Sequence, residues 1–373
     1  MSSGMESLSS PSKNVLLRSL PGLKLESTLS SHQGNIGDMS DCNRRLFASA
    51  RNECKRVLND AKSLFAARMK EHPNKASGGD GIPAIVLKKC APGLAPALSK
   101  LYNYCLKESC FLDCWKSSSI IPVFKNSGDP SDPSNYRPIS LLPLFGKVFE
   151  ALINTGVINH LTSHNLLSDK QYSFRFARST ADVLTAITET VYRALQNNGE
   201  ARAVALDISK AFDRFWHAGL LRKLQGYGIT CRLYNLIQSF LSNLELMVVL
   251  NGFSSSSYPT NAGVPQGSIL GPTLFLIYIN DLPDAITSQV GIYADDTPIY
   301  SCLKNKSSLA DKTHLTVRLE KDLQSIVNWG MNWLVNFNFS KTKLLSINHH
   351  REPSLPSIRM SDAQLLCGFS VSR

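Results

Sequence analysis

The chain has 373 residues, 43% hydrophobic and 18% charged, with 40 Lys and Arg against 29 Asp and Glu and a net charge of +11. This composition excludes a disordered chain and leaves room for one large domain or two ordinary ones. The positive excess points to a polyanion partner, nucleic acid before an anionic membrane surface. The 9 cysteines are scattered and odd in number, which argues against a secreted disulfide framework and for a reducing, intracellular compartment.

Residues 1–41 are rich in Ser, Gly, Leu and Asn without a stable period, and read as a disordered tail with no apolar signal core. Over 42–73 the composition turns basic. Phe47, Cys54, Leu58, Ala61 and Phe65 mark one apolar stripe among Arg and Lys, which predicts a basic amphipathic helix over 42–70. It suits either a nucleic-acid contact or a solvated helix on a domain edge. A glycine-rich loop, Asn74 to Pro83, lacks the spacing of a phosphate-binding fingerprint. A helix carrying Leu94, Leu98, Leu101 and Tyr102 follows, then Cys105, Cys110 and Cys114 in a helical, apolar stretch. Without a nearby histidine these three read as buried thiols rather than a zinc site.

Ser119 to Lys125 is a short strand, and Asn135 to Leu142 pairs with it across a polar turn. Lys125 and Arg137 bracket that turn. They could grip a triphosphate or form a surface charge pair. Helices are predicted over 145–161 and 180–197, the latter capped by Ser179 or Thr180. Ala201 to Ile208 reads as a buried strand, apolar through Ala203-Val204-Ala205-Leu206, with Asp207 at its mouth and Asp213 six residues on. Two helices, about 218–227 and 231–242, precede a strand ending at Asn251-Gly252, a strong hairpin signal. Gly263 to Pro272 is a Gly- and Pro-rich loop opening an apolar helix, Thr273 to Ile279. The apolar run from Ile269 is only about a dozen residues, too short to span a bilayer.

Tyr293-Ala294-Asp295-Asp296 lies between Val290-Gly291-Ile292 and Ile299-Tyr300, and predicts a hairpin with both aspartates at its turn. Alone, such a pair reads as a solvated turn. With Asp207 on a neighbouring strand, three carboxylates would converge, as two magnesium ions in phosphoryl transfer require. Leu315 to Leu334 carries one apolar helical face, and Trp329 and Trp333 read as core rather than a base-stacking platform. Ser340-Lys341-Thr342-Lys343 precedes a strand, Leu344 to Ile347, and residues 351–373 form an irregular C-terminal tail.

In order, Asn135-Tyr136-Arg137-Pro138-Ile139-Ser140, Leu206-Asp207-Ile208-Ser209-Lys210-Ala211-Phe212-Asp213, Gly263 through Pro272 and Tyr293-Ala294-Asp295-Asp296 resemble the reverse transcriptase domain of non-LTR (LINE-type, jockey-like) retrotransposons. The resemblance covers residues 74–350. It implies an α+β right-hand polymerase, with fingers near the Asn-Tyr-Arg-Pro motif and an antiparallel palm sheet packed on helices. It implies that Asp207, Asp295 and Asp296 hold two Mg²⁺ ions, or Mn²⁺ in their place. By the same resemblance Phe212 excludes a 2′-hydroxyl, Arg137 and Lys125 contact the triphosphate, and Gln266 and Gly267 shape the nucleotide pocket. Lys341 protonates the leaving pyrophosphate, and Asp213 is structural. The implied partners are an RNA template, a DNA primer and dNTPs, met in the nucleus, without a membrane or an obligate protein partner. Phe212, and Ala294 ahead of the acidic pair, disfavour an RNA-dependent RNA polymerase.

The chain departs from the family pattern in four places. Ser173 stands for Gly, Phe176-Ala177-Arg178 for Lys-Gly-Arg, Gly79 for Pro, and Pro298 follows the acidic hairpin. No endonuclease fits ahead of the polymerase segment, and the chain after Ile347 is too short for a helical thumb, so a truncated copy is expected. A catalytically inactive remnant that binds nucleic acid is the alternative reading.

Overall fold

The computed structural model describes residues 77–303, 308–348, 357–360, 363–365 and 367–371. The tail 1–41, the basic segment 42–73 and the start of the glycine-rich loop lie outside the described residues. Helix α1 (Ala84–Glu108) follows Pro83, runs through Pro92 and Pro96, and stops where Ser109 turns left-handed at φ 55°. It is followed by β1 (Ser117–Phe124), β2 (Tyr136–Leu141) and α2 (Leu144–Ser163). Next come α3 (Thr180–Gln196), β3 (Glu200–Asp207) and a one-turn helix α4 (Ala211–Arg214). Helices α5 (His217–Gly226) and α6 (Cys231–Leu241) lead to β4 (Leu244–Leu250), β5 (Phe253–Ser254) and β6 (Tyr258–Thr260). The remainder is α7 (Gly271–Ile279), β7 (Gln289–Val290), β8 (Asp296–Leu303), α8 (Leu309–Trp333) and β9 (Lys343–Ile347). Short strands β10 (Ile358–Met360), β11 (Ala363–Leu365) and β12 (Cys367–Val371) close the chain.

Two five-stranded sheets and a two-stranded β10–β11 hairpin organise these elements. In one, β2 and β1 form an antiparallel hairpin, β4 lies parallel to β1, and β5 and β6 pair with β4. Asn251 at φ 52° and Gly252 at φ 83° make the β4–β5 turn, as the Asn-Gly pair predicts. The other sheet has the order β12-β9-β3-β8-β7. It is antiparallel from β9 to β7, and β12 adds a parallel edge. This corrects the reading of 351–373 as an irregular tail. Strands of three to five residues are too short to carry a period: β10 and β11 pair with each other, and β12 pairs with β9.

The core gathers around α7, which is buried at Gly271 and from Thr273 to Ile279. Its apolar residues meet Phe149 and Ile153 of α2, Leu220 and Leu224 of α5, and Leu319, Leu323 and Ile326 of α8 in one cluster. A helix buried on all sides shows no amphipathic period, which is why its sequence is simply apolar. The expected thiol cluster is corrected: Cys105 is buried, but Cys110 follows the end of α1 and Cys114 is exposed in a single 3₁₀ turn. No helix among the described residues is long and apolar enough to cross a membrane.

One buried cation pins the helices together. Lys223 of α5 is 4% exposed; its Nζ lies 2.5 Å from Asp281 Oδ1 and 3.8 Å from the centre of the Trp333 ring. Trp329 donates from Nε1 to the same Asp281 oxygen at 3.2 Å. The tryptophans of α8 are thus structural, as expected. Burial outweighs Asp281 and pushes the Lys223 pKa down to about 8. In the unfolded chain lysine titrates near 10.4. The folded state therefore binds fewer protons between these values, and its stability rises with pH across that window. In urea titrations the parent should gain stability relative to Lys223→Met between pH 8 and 10; a constant difference over that range would contradict the burial of a charged Lys223.

Candidate active site

The pairing of β3 with β8 is continuous from Glu200↔Leu303 to Asp207↔Asp296. Side chains alternate across a sheet, so Ala203, Ala205 and Asp207 share a face with Tyr300, Pro298 and Asp296. The opposite face, with Arg202, Val204 and Leu206, is buried. The expectation of a strand buried on both faces is corrected here, because Ala205 is exposed. Helix α3 packs on β3 and β8, and Tyr300 is buried with Thr190 hydrogen-bonded to it. The open face is thus the end of the sheet holding Ala205, Pro298 and the two carboxylates, and the small Ala205 leaves space beside them.

The backbone bonds explain why those carboxylates are close. Asp296 N–H donates to the Tyr293 carbonyl at 3.1 Å, and its carbonyl accepts from Tyr293 at 2.9 Å, so its backbone faces the hairpin. The Asp207 carbonyl faces the other way and accepts from Asn338 N–H at 2.8 Å. Asp207 and Asp296 therefore form a non-hydrogen-bonded pair, the kind in which opposite side chains approach most closely. Asp295 is in the turn itself, next to Asp296 and following Ala294, which adopts φ 56°. Such a left-handed residue other than glycine costs about 1–2 kcal/mol. Asp296 records the crowding: burial first, then Asp295 and Asp207, push its carboxyl above the ordinary range, and Lys341 opposes them.

Pro298 does not break this arrangement. Its carbonyl accepts from Gly291 N–H at 3.1 Å, so its missing donor faces edge strand β7 and the β3–β8 register is unbroken. Lys341 reaches the site by a tertiary route. Segment 336–338 pairs with 207–209, Asn338 turns the chain by accepting from Lys341 and Thr342, and Lys341 Nζ then lies 3.5 Å from Asp207 Oδ2. Among the described residues no three His, Cys, Asp or Glu side chains close into a metal cage. Magnesium at phosphate-transfer sites does not use one: it takes one or two carboxylates and completes its shell with water and substrate oxygens. The hard, mutually repelling oxygens of Asp207, Asp295 and Asp296 fit that donor set.

The loop from Gly263 to Leu270 is clamped beside the sheet. Gln266 donates from Nε2 to Asp213 Oδ1 at 3.0 Å, and its carbonyl accepts from Ser140 N–H of β2 at 2.9 Å. This gives Asp213 the structural place expected of it. Gly267 has φ 140°, and a β-carbon there would fall 2.6 Å from the Ser140 carbonyl oxygen, so only glycine fits. The third clamp is Glu150 of α2, 2% exposed, whose Oε2 accepts from Ser268 Oγ at 2.5 Å, Ile269 N–H at 2.7 Å and Leu270 N–H at 3.0 Å. A buried carboxylate at the start of α7 satisfies orphan donors and complements the helix dipole. Sequence reasoning missed it. The available signal was that Glu150 is the only acid between Leu144 and Ser163.

Phe212 lies in the turn after β3, with its ring 4.9 Å from Phe275 of α7 and 6.3 Å, edge-on, from Phe174. Its carbonyl accepts from Val264 N–H at 2.8 Å, which ties it to the same loop. Lys125 and Arg137 are exposed on the β1–β2 hairpin, and neither pairs with a carboxylate of the site. Lys125 Nζ instead donates to the Ser134 carbonyl at 2.7 Å. Arg137 is three residues from Ser140, where β2 meets the clamped loop. The structure therefore brings Asp207, Asp296 and Lys341 together at one end of the sheet with Asp295 beside Asp296, ties Phe212, Gln266 and Gly267 together through the 263–270 loop, and leaves Lys125 and Arg137 on the β1–β2 hairpin.

The family described as reverse transcriptase (RNA-dependent DNA polymerase) matches residues 123–361. The chain is 33% identical over 313 residues to the RNA-directed DNA polymerase from mobile element jockey of Drosophila melanogaster, covering 82% of this chain and 33% of that protein. It is 31% identical to the Drosophila funebris counterpart, covering 76% of this chain and 31% of that protein. It is also 31% identical to the probable RNA-directed DNA polymerase from transposon BS of Drosophila melanogaster, covering 72% of this chain and 30% of that protein. The chain thus spans about a third of the length of the curated relatives it matches. Motifs, sheet and relatives agree, and the chain belongs to the reverse transcriptase family.

Proposed function

We propose that the chain carries the nucleotidyl-transfer site of an RNA-directed DNA polymerase, joining dNTPs to a primer 3′-hydroxyl on an RNA template. The observation that carries this reading is the close pairing of Asp207 with Asp296, with Asp295 adjacent, at the open end of an otherwise covered sheet. Asp207, Asp295 and Asp296 would hold the divalent ions, Mg²⁺ or Mn²⁺. When bound, such ions lower the pKa of the attacking hydroxyl and neutralise the leaving pyrophosphate. Lys341, whose ammonium lies 3.5 Å from Asp207 Oδ2, gives a proton to the leaving group in this reading. Phe212 bars a 2′-hydroxyl by its bulk. It is held between Phe275 and the 263–270 loop, so it cannot retreat without disturbing the core. The clamped Gln266 and Gly267 form the wall against the incoming base and sugar. Arg137, with Lys125 beyond it, meets the triphosphate from the hairpin.

Primer extension on an RNA template with dNTPs and Mg²⁺ tests the reading. Incorporation should occur, and Asp295→Ala should lower its rate about 10²–10³-fold or more. Incorporation that persists in the variant would remove the carboxylate assignment. Nucleic-acid binding without any incorporation by the parent would leave a binding module instead of an enzyme.

Phe212→Val should keep dNTP incorporation while raising the relative use of NTPs by roughly 10–100-fold, the range a local steric change commands. Equal discrimination in both proteins would take the sugar gate away from Phe212.

The metal site has a readout independent of catalysis. In metal-free buffer the folded Asp296 carboxyl holds its proton to higher pH than the unfolded one, so the parent loses stability as pH rises through the carboxylate range. Asp296→Asn removes that loss and should melt higher than the parent above the carboxylate range. Magnesium at about ten times its Kd should then stabilise the parent by about 1.4 kcal/mol, a few degrees, and the variant by much less. Equal magnesium responses in thermal melts would contradict a site at these carboxylates.

A further inference from the structure

The loop that departs most from the family pattern, Ser173 to Arg178, presents an aromatic side chain with nothing around it. Phe176 is 99% exposed. The loop itself is firmly held. Arg175 donates from Nη1 to the Ser168 carbonyl at 2.7 Å, and Arg178 reaches Asp169 Oδ1 at 3.0 Å and lies over the Tyr172 ring at 5.3 Å. Ser173, 1% exposed, donates from its N–H and hydroxyl to Gln171 Oε1 at 3.1 and 3.0 Å. Phe174 at φ 54° and Ala177 at φ 55° flank the tip in left-handed conformations that cost about 1–2 kcal/mol each. A turn kept strained and anchored around one protruding ring calls for a function for that ring.

Its position indicates what the ring meets. The loop is sewn to the acidic hairpin: Ile292 N–H donates to the Lys170 carbonyl at 2.8 Å and Tyr172 N–H to the Ile292 carbonyl at 2.9 Å, three residues before Asp295. Phe174, 47% exposed, continues inward to Phe212, so an aromatic path runs from the surface loop to the site. Both guanidiniums of the loop are engaged by oxygens of the preceding segment 168–171, which leaves the tip apolar on a chain of net charge +11.

We propose that Phe176 is a stacking platform for an unpaired base of the nucleic-acid strand approaching the site. This rests on the polymerase reading, which places a strand there. Every base has a π-face, so the contact is sequence-tolerant, insensitive to salt, and worth about 1–3 kcal/mol per base. It replaces by stacking what a cation would supply by charge.

The test is binding of the full chain to a 5′-labelled 14-nucleotide single-stranded RNA by fluorescence anisotropy at several salt concentrations. Phe176→Ala should weaken binding about 5- to 150-fold, with the slope of log K against log salt unchanged. Phe176→Lys should recover affinity at low salt and steepen that slope by about 0.7, one added phosphate contact on a single strand. Phe176→Trp should bind like the parent, with its added fluorescence quenched by the RNA. Parent-like binding by Phe176→Ala would overturn the proposal while leaving the polymerase reading intact. A change in oligomeric state with unchanged RNA affinity would assign the ring to contact between copies and overturn it too. A parent that binds no RNA would remove both readings. A substitution at so exposed a position leaves the core untouched, and circular dichroism checks this.

Discussion

The constraint on which the site depends is a pairing that is unfavourable in isolation. Two carboxylates stand directly opposite each other at the end of an antiparallel ladder, in the type of pair that brings side chains closest. Like charges so placed repel. The ladder holds them there because the register is fixed along its whole length. Arg202, Val204 and Leu206 are buried on one face, and a slip of one residue would expose all of them. Hydrophobic burial thus supplies what the carboxylates oppose; burial first, then crowding by Asp295 and Asp207, raises the proton affinity of Asp296, and that crowding of carboxylates suits divalent cations.

Around that ladder the neighbouring segments are fixed by polar contacts inside or beside the core. Glu150 gathers the start of α7, and Gln266 bridges Asp213 and Ser140. Tyr278 accepts from Trp216 N–H at 3.3 Å and donates to the Trp333 carbonyl, so it joins the turn after β3 to the end of α8. The chain leaving α8 is the segment that pairs with 207–209 and delivers Lys341. A buried polar group left unpaired costs more than a made bond contributes, so each of these contacts restricts the core to one arrangement. The geometry beside the carboxylates is therefore set from several helices at once.

The departures from the family pattern fall into two kinds. Pro298 is neutral to the site, because its absent donor points to the edge strand rather than to β3. The 173–178 loop is not neutral. Ser173 takes a buried place and binds Gln171, Arg175 and Arg178 brace the loop, and Phe176 is left outside. Where flexibility and charge are usual, this chain has a braced, apolar tip.

Much of the fold and most of the site were legible in the sequence. Strand and helix periods placed β3, α3, α8 and the Asn251-Gly252 turn, and ordered motifs marked Asp207, Phe212, Gln266 and the Asp295-Asp296 pair. These features are local: a period, a turn or a motif is complete within a few residues. Three things were not local. Glu150 has its partners 118 to 120 residues away, so nothing beside it discloses its role. The strands after residue 357 are too short for a period and exist through pairing with each other and with β9. The openness of β3 at Ala205 depends on which neighbours stop short of it. The sequence by itself determined which groups could do the chemistry. Only the tertiary structure decided that Asp207 faces Asp296 across a close pair and Lys341 reaches them, because side-chain approach is set by hydrogen-bond register and packing between segments distant along the chain.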